Sequence, residues 1–155
     1  MTVATSDKTL SDSAARLRLA ITRTARRLRK EAAGELSPTS AATLATVEGH
    51  GPLPPSEVAE IERIRRPSAT RSLRCLEDAG LVRRTPDPAD GRSSLVSVTA
   101  AGRERLRRLR GRKNAYLARR MRDLPPTDVE ALERAAEILE RIQESERQAV
   151  EGERG

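Results

Sequence analysis

Apolar side chains recur along this chain mostly at helical spacing, and the pattern changes once, between residues 81 and 98, to two short β-prone runs. Residues 12–33 place Leu17, Ile21, Thr24 and Leu28 on one stripe, with Arg16, Arg23, Arg26, Arg27, Arg29 and Lys30 filling much of the remainder, and Gly34 ends the run. Ser37-Pro38 has the chemistry of an N-cap followed by a proline in the first turn. It opens a helix through Ala41, Leu44, Ala45 and Val47, which Gly49-His50-Gly51 closes. A short helix over residues 55–62 offers Val58, Ala59 and Ile61 to a core, with Ile64 anchoring the next turn. Pro67 starts another, whose positions Ala69, Leu73, Leu76 and Gly80 fall within an arc of about 60° at 100° per residue, and Gly80 also suits the left-handed position after a helix's carboxyl end.

Leu81-Val82 and Leu95-Val96-Ser97-Val98 flank a segment rich in Pro, Asp and Gly, the composition of a hairpin with a charged tip. Thr99 is suited to cap a long helix from Ala100 to Met121, which Pro125-Pro126 ends. A last helix begins at Thr127-Asp128 and carries Val129, Leu132, Ala136, Leu139 and Ile142 on one stripe, with fraying expected after Arg147. The order helix, turn, helix, hairpin predicts a mainly α (α+β) winged helix-turn-helix at residues 37–102. A helix within residues 12–36 and two more within 103–148 lie outside that module, and residues 1–11 and 149–155 are expected to be disordered or frayed tails. The outer helices have apolar stripes without enough partners in one chain, which predicts a two-fold homodimer.

Charge sharpens this picture. The net charge is +7, yet residues 123–155 carry −6 and residues 1–122 therefore +13. So basic a segment points to a polyanion, and nucleic acid fits better than a membrane surface because the chain has no uninterrupted apolar span. Tyr116 is the only aromatic residue, which disfavours the base stacking on which single-strand and RNA readers depend. Double-stranded DNA is the partner that this pattern favours.

The second helix of the helix-turn-helix turns Pro67, Arg71 and Arg74 away from its core face, with Ser68 and Thr70 beside them, and these are the candidate major-groove residues. An arginine fork can donate to guanine O6 and N7; either Arg71 or Arg74 fits that role. Arg65 and Arg66, before the helix, and Ser37 and Thr39, at the preceding helix's amino end, are candidate phosphate contacts. At the hairpin tip, Asp90 and Arg92 form an Asp-x-Arg pair that would aim an arginine into a narrow minor groove.

The run Leu76-Glu77-Asp78-Ala79-Gly80-Leu81-Val82-Arg83-Arg84, followed by Asp87, Asp90, Arg92, Val96, Val98-Thr99 and Gly102, resembles the MarR (multiple-antibiotic-resistance regulator) family of dimeric winged-helix transcription factors over about residues 10–145. Thr70-Arg71 stands where that family's recognition helix usually carries Thr-Arg, and Asp90-x-Arg92 matches its wing signature. Pro54 and Arg66 depart from the Ser or Thr caps more common there, as Pro55 does from a polar residue. The resemblance implies a cleft between the dimer helices and the reader for a small-molecule effector; Ile21, Leu44, Val47 and Tyr116 are its candidate lining, although the aromatic residues that often line it are scarce here.

The remaining chemistry is sparse. One Cys, one His and no Gly-rich phosphate loop argue against an enzyme, a metal site or a cofactor. Cys75 is expected half-buried at the flank of its helix, His50 on the surface. Residues 1–11 lack the apolar core of a secretory signal, which points to the cytoplasm. Three readings stay open: an effector-responsive repressor or activator on a pseudo-palindrome, an effector-independent or architectural DNA binder of the same fold, and a protein-interaction module.

Overall fold

The computed structural model describes residues 2–32, 34 and 36–152, which fall into two units, residues 1–116 and 117–155. In the first unit, α1 (Thr2–Glu31) is followed by α2 (Pro38–His50), α3 (Pro55–Ile61) and α4 (Arg66–Asp78), then by strands β1 (Val82–Pro86) and β2 (Ser94–Val98) and by α5 (Ala100–Met121), which continues into the second unit. The second unit consists of the end of α5 and α6 (Pro126–Gly152).

Helix α1 begins at Thr2, so the tail expected at residues 1–11 is helical from its second residue. Nothing in this segment opposes that: no Gly or Pro occurs before Gly34, and helix, once nucleated, propagates at little cost per residue. At the other end, α6 runs to Gly152 instead of fraying after Arg147, because no breaker precedes that glycine; residues 153–155 of the expected tail lie outside the described residues. Among the described residues no helix is long and apolar enough to cross a membrane.

Helix α2 starts where its sequence dictates. Ser37 is extended at φ −64°, ψ 153°, and its Oγ accepts the Ser40 amide at 3.0 Å, satisfying one of the amides that a helix leaves unpaired at its amino end. Helices α3 and α4 start without a side-chain cap, at Pro54 and Arg65, and each relies on a proline in its first turn. At the end of α4, Gly80 takes φ 70°, and the amides of Leu81 and Gly80 donate to the carbonyls of Leu76 and Glu77 at 2.9 and 2.8 Å. This is a Schellman closure, and it requires the left-handed conformation that glycine adopts freely. Gly80 therefore terminates the helix and is exposed, whereas the sequence pattern placed it on the core face; Ser72 takes the fourth buried position beside Ala69, Leu73 and Leu76.

The hairpin pairs antiparallel in the register Val82↔Val98 through Pro86↔Ser94, and Leu53 adds a single bridge on the other side of β2, exchanging two backbone hydrogen bonds with Val96. Inward residues of α2, α3, α4, the hairpin and α5 meet in one aliphatic core: Leu44, Val47, Val58, Leu73, Leu76, Val96 and Leu106 are all at most 3% exposed. Each such side chain contributes about 1.5–3 kcal/mol of transfer free energy, so the core closes without any aromatic ring. Ile61 stays out of it at 44% exposure, contrary to expectation, because at 100° per residue it lies about 160° around the short α3 from Ala59. Thr99 joins the hairpin to α5: its Oγ1 donates to the Gly80 carbonyl at 2.7 Å and accepts the Gly102 amide at 3.1 Å.

Candidate nucleic-acid interface

Helices α3 and α4 are joined by a tight turn in which Arg63 adopts φ 52° and the Ile64 amide donates to the Ala59 carbonyl at 3.0 Å. With Ala69, Ser72, Leu73 and Leu76 buried, α4 is held by its inner face, and Arg65, Arg66, Pro67, Ser68, Thr70, Arg71 and Arg74 are all exposed. The structure thus brings the five candidate major-groove residues onto one accessible helix and places the two candidate phosphate-contact arginines at its start.

The amino end of α2 stands beside this helix. Between them runs a groove of about 360 Å³ lined by Ser37, Thr39, Ser40, Pro67, Ser68, Arg71, Ser72 and Cys75. Ser37 is committed to its own helix, accepting the Ser40 amide and donating to Ser40 Oγ at 2.9 Å, while Thr39 is exposed. Cys75 is exposed in this groove and not half-buried, because it lies about 100° around α4 from the buried Leu76, on the groove side.

The wing tip is organised by its two aspartates acting on the backbone. Asp87 Oδ1 accepts the Ala89 amide at 2.9 Å, Asp90 Oδ1 accepts the Arg92 amide at 3.0 Å, and the Ser93 amide donates to the Asp90 carbonyl at 2.8 Å. These Asx turns hold the chain that carries Arg92, so Asp90 acts on its backbone and leaves the guanidinium exposed; among the described residues no carboxylate pairs with it.

Of the four candidate effector-pocket residues, Leu44 and Val47 are fully buried in the core, Ile21 is 43% exposed on α1, and Tyr116 packs under Arg27 with the guanidinium 5.5 Å from its ring centroid. Val47 lines a cavity with Glu48, Gly51 and Pro52 on the other side of α2's end, beside Arg83, Ser97 and Arg103. A different cavity of about 370 Å³ opens between the end of α1, α2 and α5, lined by Ala32, Leu36, Ala41, Ala45, Leu106 and Leu109, with Arg29, Arg110 and Lys113 at its edge. Arg110 also pairs with Glu48 at 2.6 Å. Sequence reasoning missed this lining because small and aliphatic residues at helical spacing look the same whether they face a cavity or a filled core. His50 is exposed at the end of α2.

Comparison with known proteins agrees with this architecture. The MarR family profile matches residues 36–94, from the α1–α2 connection into β2. An HTH-type transcriptional regulator of Mycobacterium leprae is 38% identical over 131 residues, covering 83% of this chain and 92% of the relative. Among solved structures, a transcriptional regulator from Pseudomonas aeruginosa superposes with a TM-score of 0.77 at 32% identity over 85% of this chain and 94% of that one. A mutant of S. aureus MepR, solved bound to an oligodeoxyribonucleotide, shares the fold with a TM-score of 0.65 at 16% identity, over 84% and 97% of the two chains. With its buried-inside, basic-outside α4, its hairpin wing and a 38% identical regulator aligned over most of both chains, this protein belongs to the MarR family of winged helix-turn-helix, DNA-binding transcriptional regulators.

Proposed function

We propose that the protein is a homodimeric repressor in the cytoplasm that binds a pseudo-palindromic duplex, with α4 of each subunit in a major groove and Arg92 of each wing in the flanking minor groove. The observation that carries this reading is the division of α4: its inner face is buried in the core, while Arg71, Arg74, Ser68 and Thr70 stand exposed beside an exposed wing-tip arginine. The oligodeoxyribonucleotide complex of the distantly similar MepR mutant supports DNA as the partner. Dimerisation is supported by apolar side chains left uncovered within each unit: Leu17 and Ile21 on α1 are 47% and 43% exposed, and Leu132, Ile138 and Ile142 on α6 are 46–51% exposed. A second copy covers such stripes at the usual two-fold symmetry, and the half-site centres then lie about 34 Å apart. The cavity between α1, α2 and α5 supports an effector-responsive mode, in which a small molecule acts by preferring one arrangement of the two winged modules over the other.

Selection from a randomised duplex library, followed by titration of the enriched sequence and light scattering of the complex, tests the proposal. The expected result is an enriched inverted repeat bound by two chains. Enrichment of no sequence over random duplex, or a monomer at micromolar concentration, overturns it.

The wing carries a prediction of its own. Arg92→Ala is expected to weaken binding without disturbing the fold, because the side chain is exposed at the hairpin tip. The salt dependence of log K should fall by about 2 for a symmetric dimer, one displaced counterion per arginine. A narrow A·T-rich groove attracts an inserted arginine most, so changing the flanks to G·C should cost the parent protein more than the variant. Titration of both proteins on both duplexes across a salt series decides it; equal flank preference for the two proteins rules out insertion of the wing.

A further inference from the structure

Arg84 has no place in the contacts proposed above, yet it sits at a mechanical junction. The face of the hairpin turned toward α4 carries, from base to tip, the pairs Val82↔Val98, Arg84↔Val96 and Pro86↔Ser94. Val82, Val96 and Val98 are buried, whereas Pro86 is exposed, so apolar packing of the wing ends at the level of Arg84. There the tie becomes ionic. Arg84 Nε donates to Glu77 Oε2 on the last turn of α4 at 2.9 Å, and Arg84 Nη1 donates to Ser94 Oγ across the hairpin at 3.4 Å. The Arg84 and Glu77 side chains are 29% and 39% exposed. Among the described residues, no hydrogen bond nearer the tip joins the wing to α4.

We infer that the Arg84–Glu77 pair is a positioning element that fixes the angle between the wing and the recognition helix, and so sets where Arg92 meets DNA when α4 is seated. The inference rests on the proposed insertion of α4 and the wing. Asp87 lies three residue steps beyond Arg84, and at about 3.3 Å per residue the tip begins roughly 10 Å beyond the tie, so a small rotation there swings Arg92 by ångströms. Arginine suits the position because its planar fork can hold the carboxylate and the hydroxyl together, whereas a lysine ammonium offers no fixed direction. Glu77 is a carboxylate on a helix that faces a polyanion. By charge alone it weakens binding; its pairing with Arg84 gives it a task that outweighs this.

That opposition of sign makes the inference testable. Glu77→Gln removes one negative charge with little change of shape, so electrostatics alone predicts tighter binding on every duplex. A positioning role predicts a loss of roughly three- to tenfold on the selected duplex with A·T flanks, a smaller loss with G·C flanks, and none in the Arg92→Ala background, because coupled residues lose their effect when the partner is removed. Arg84→Lys should show the same flank-dependent loss, and the exchanged pair Glu77→Arg with Arg84→Glu should regain part of it. Binding that is equal or tighter for Glu77→Gln on A·T flanks, or a loss that persists unchanged in the Arg92→Ala background, overturns the inference. In the free protein, 15N relaxation should show increased motion of residues 87–92 in Glu77→Gln at unchanged thermal midpoint. Unchanged tip relaxation overturns the tie whatever the protein binds, whereas a parent protein that binds no duplex overturns the proposed function and leaves this measurement to decide the tie.

Discussion

Replacing Gly102 by alanine should destabilise the protein by about 3 kcal/mol, at the upper end of the usual cost of overpacking. An added Cβ would lie 2.1 Å from the Leu81 carbonyl oxygen and 2.8 Å from Val98 Cγ2, distances at which the backbone itself must move. Little there can give way. The Leu81 carbonyl accepts the Thr99 amide at 3.0 Å, the Leu81 amide closes α4, and the Gly102 amide donates to Thr99 Oγ1, so the clash falls where the hairpin, the end of α4 and the start of α5 are joined. The same change nine residues along α5 provides the control. Among the described residues, nothing beyond its chain neighbours and the backbone of its own helix turn comes within 4 Å of a Cβ added at Gly111, and Gly111→Ala should stabilise by about 0.5–1 kcal/mol through helix propensity alone. Denaturant unfolding of the three proteins at one protein concentration checks both signs, since concentration shifts the apparent stability of any protein that self-associates. A Gly102→Ala midpoint equal to the parent's would show that α5 is free to slide away from the wing.

The particular residues that made the fold legible are those whose chemistry acts within a few positions of themselves. Ser37 caps α2 through the Ser40 amide, Gly80 ends α4 at positive φ, and Thr99 caps α5 through the Gly102 amide; each is a local event with a local signature. The exposed faces of α4 and the wing tip followed from helical and strand periodicity in the same way. What stayed hidden depends on distance. The Leu53 bridge to Val96 comes from one residue between two prolines, with no run long enough to suggest a strand. The Arg84–Glu77 pair spans the end of a helix, a turn and the start of a strand, and no periodicity relates the two. Which aliphatic residues line a cavity depends on how three helices diverge, which is why Leu36, Ala45, Leu106 and Leu109 were indistinguishable from core residues such as Leu44 and Val47. Resemblance supplied the family, but the groove beside α4 that contains Cys75 became visible only with the helices in place.

Loss of Arg74 should have the larger effect on sequence preference, and loss of Arg71 the larger effect on affinity for any sequence. Arg71 lines the groove beside the amino end of α2, among Ser68, Ser72 and Thr39, where hydroxyls and helix amides suit a phosphate. Arg74 lies outside that groove, about 60° around α4 from Arg71, and its guanidinium is left to reach a base edge. A bidentate contact to guanine accounts for about 1–3 kcal/mol of discrimination, and the proposed symmetric dimer would make it twice, so Arg74→Ala should cost about 2–6 kcal/mol on the selected duplex and far less on random DNA. Repeating the library selection with the variant should then return a site relaxed at one symmetric pair of positions. Arg71→Ala, by contrast, should lower affinity by a similar factor on selected and random duplexes and reduce the salt slope by about 1 per subunit, with the selected sequence unchanged. The two variants therefore exchange signatures if the assignment is reversed. Should both lose the same factor on every duplex, neither arginine reads a base, and sequence preference must come from Ser68, Thr70 and the deformability of the DNA between the half-sites.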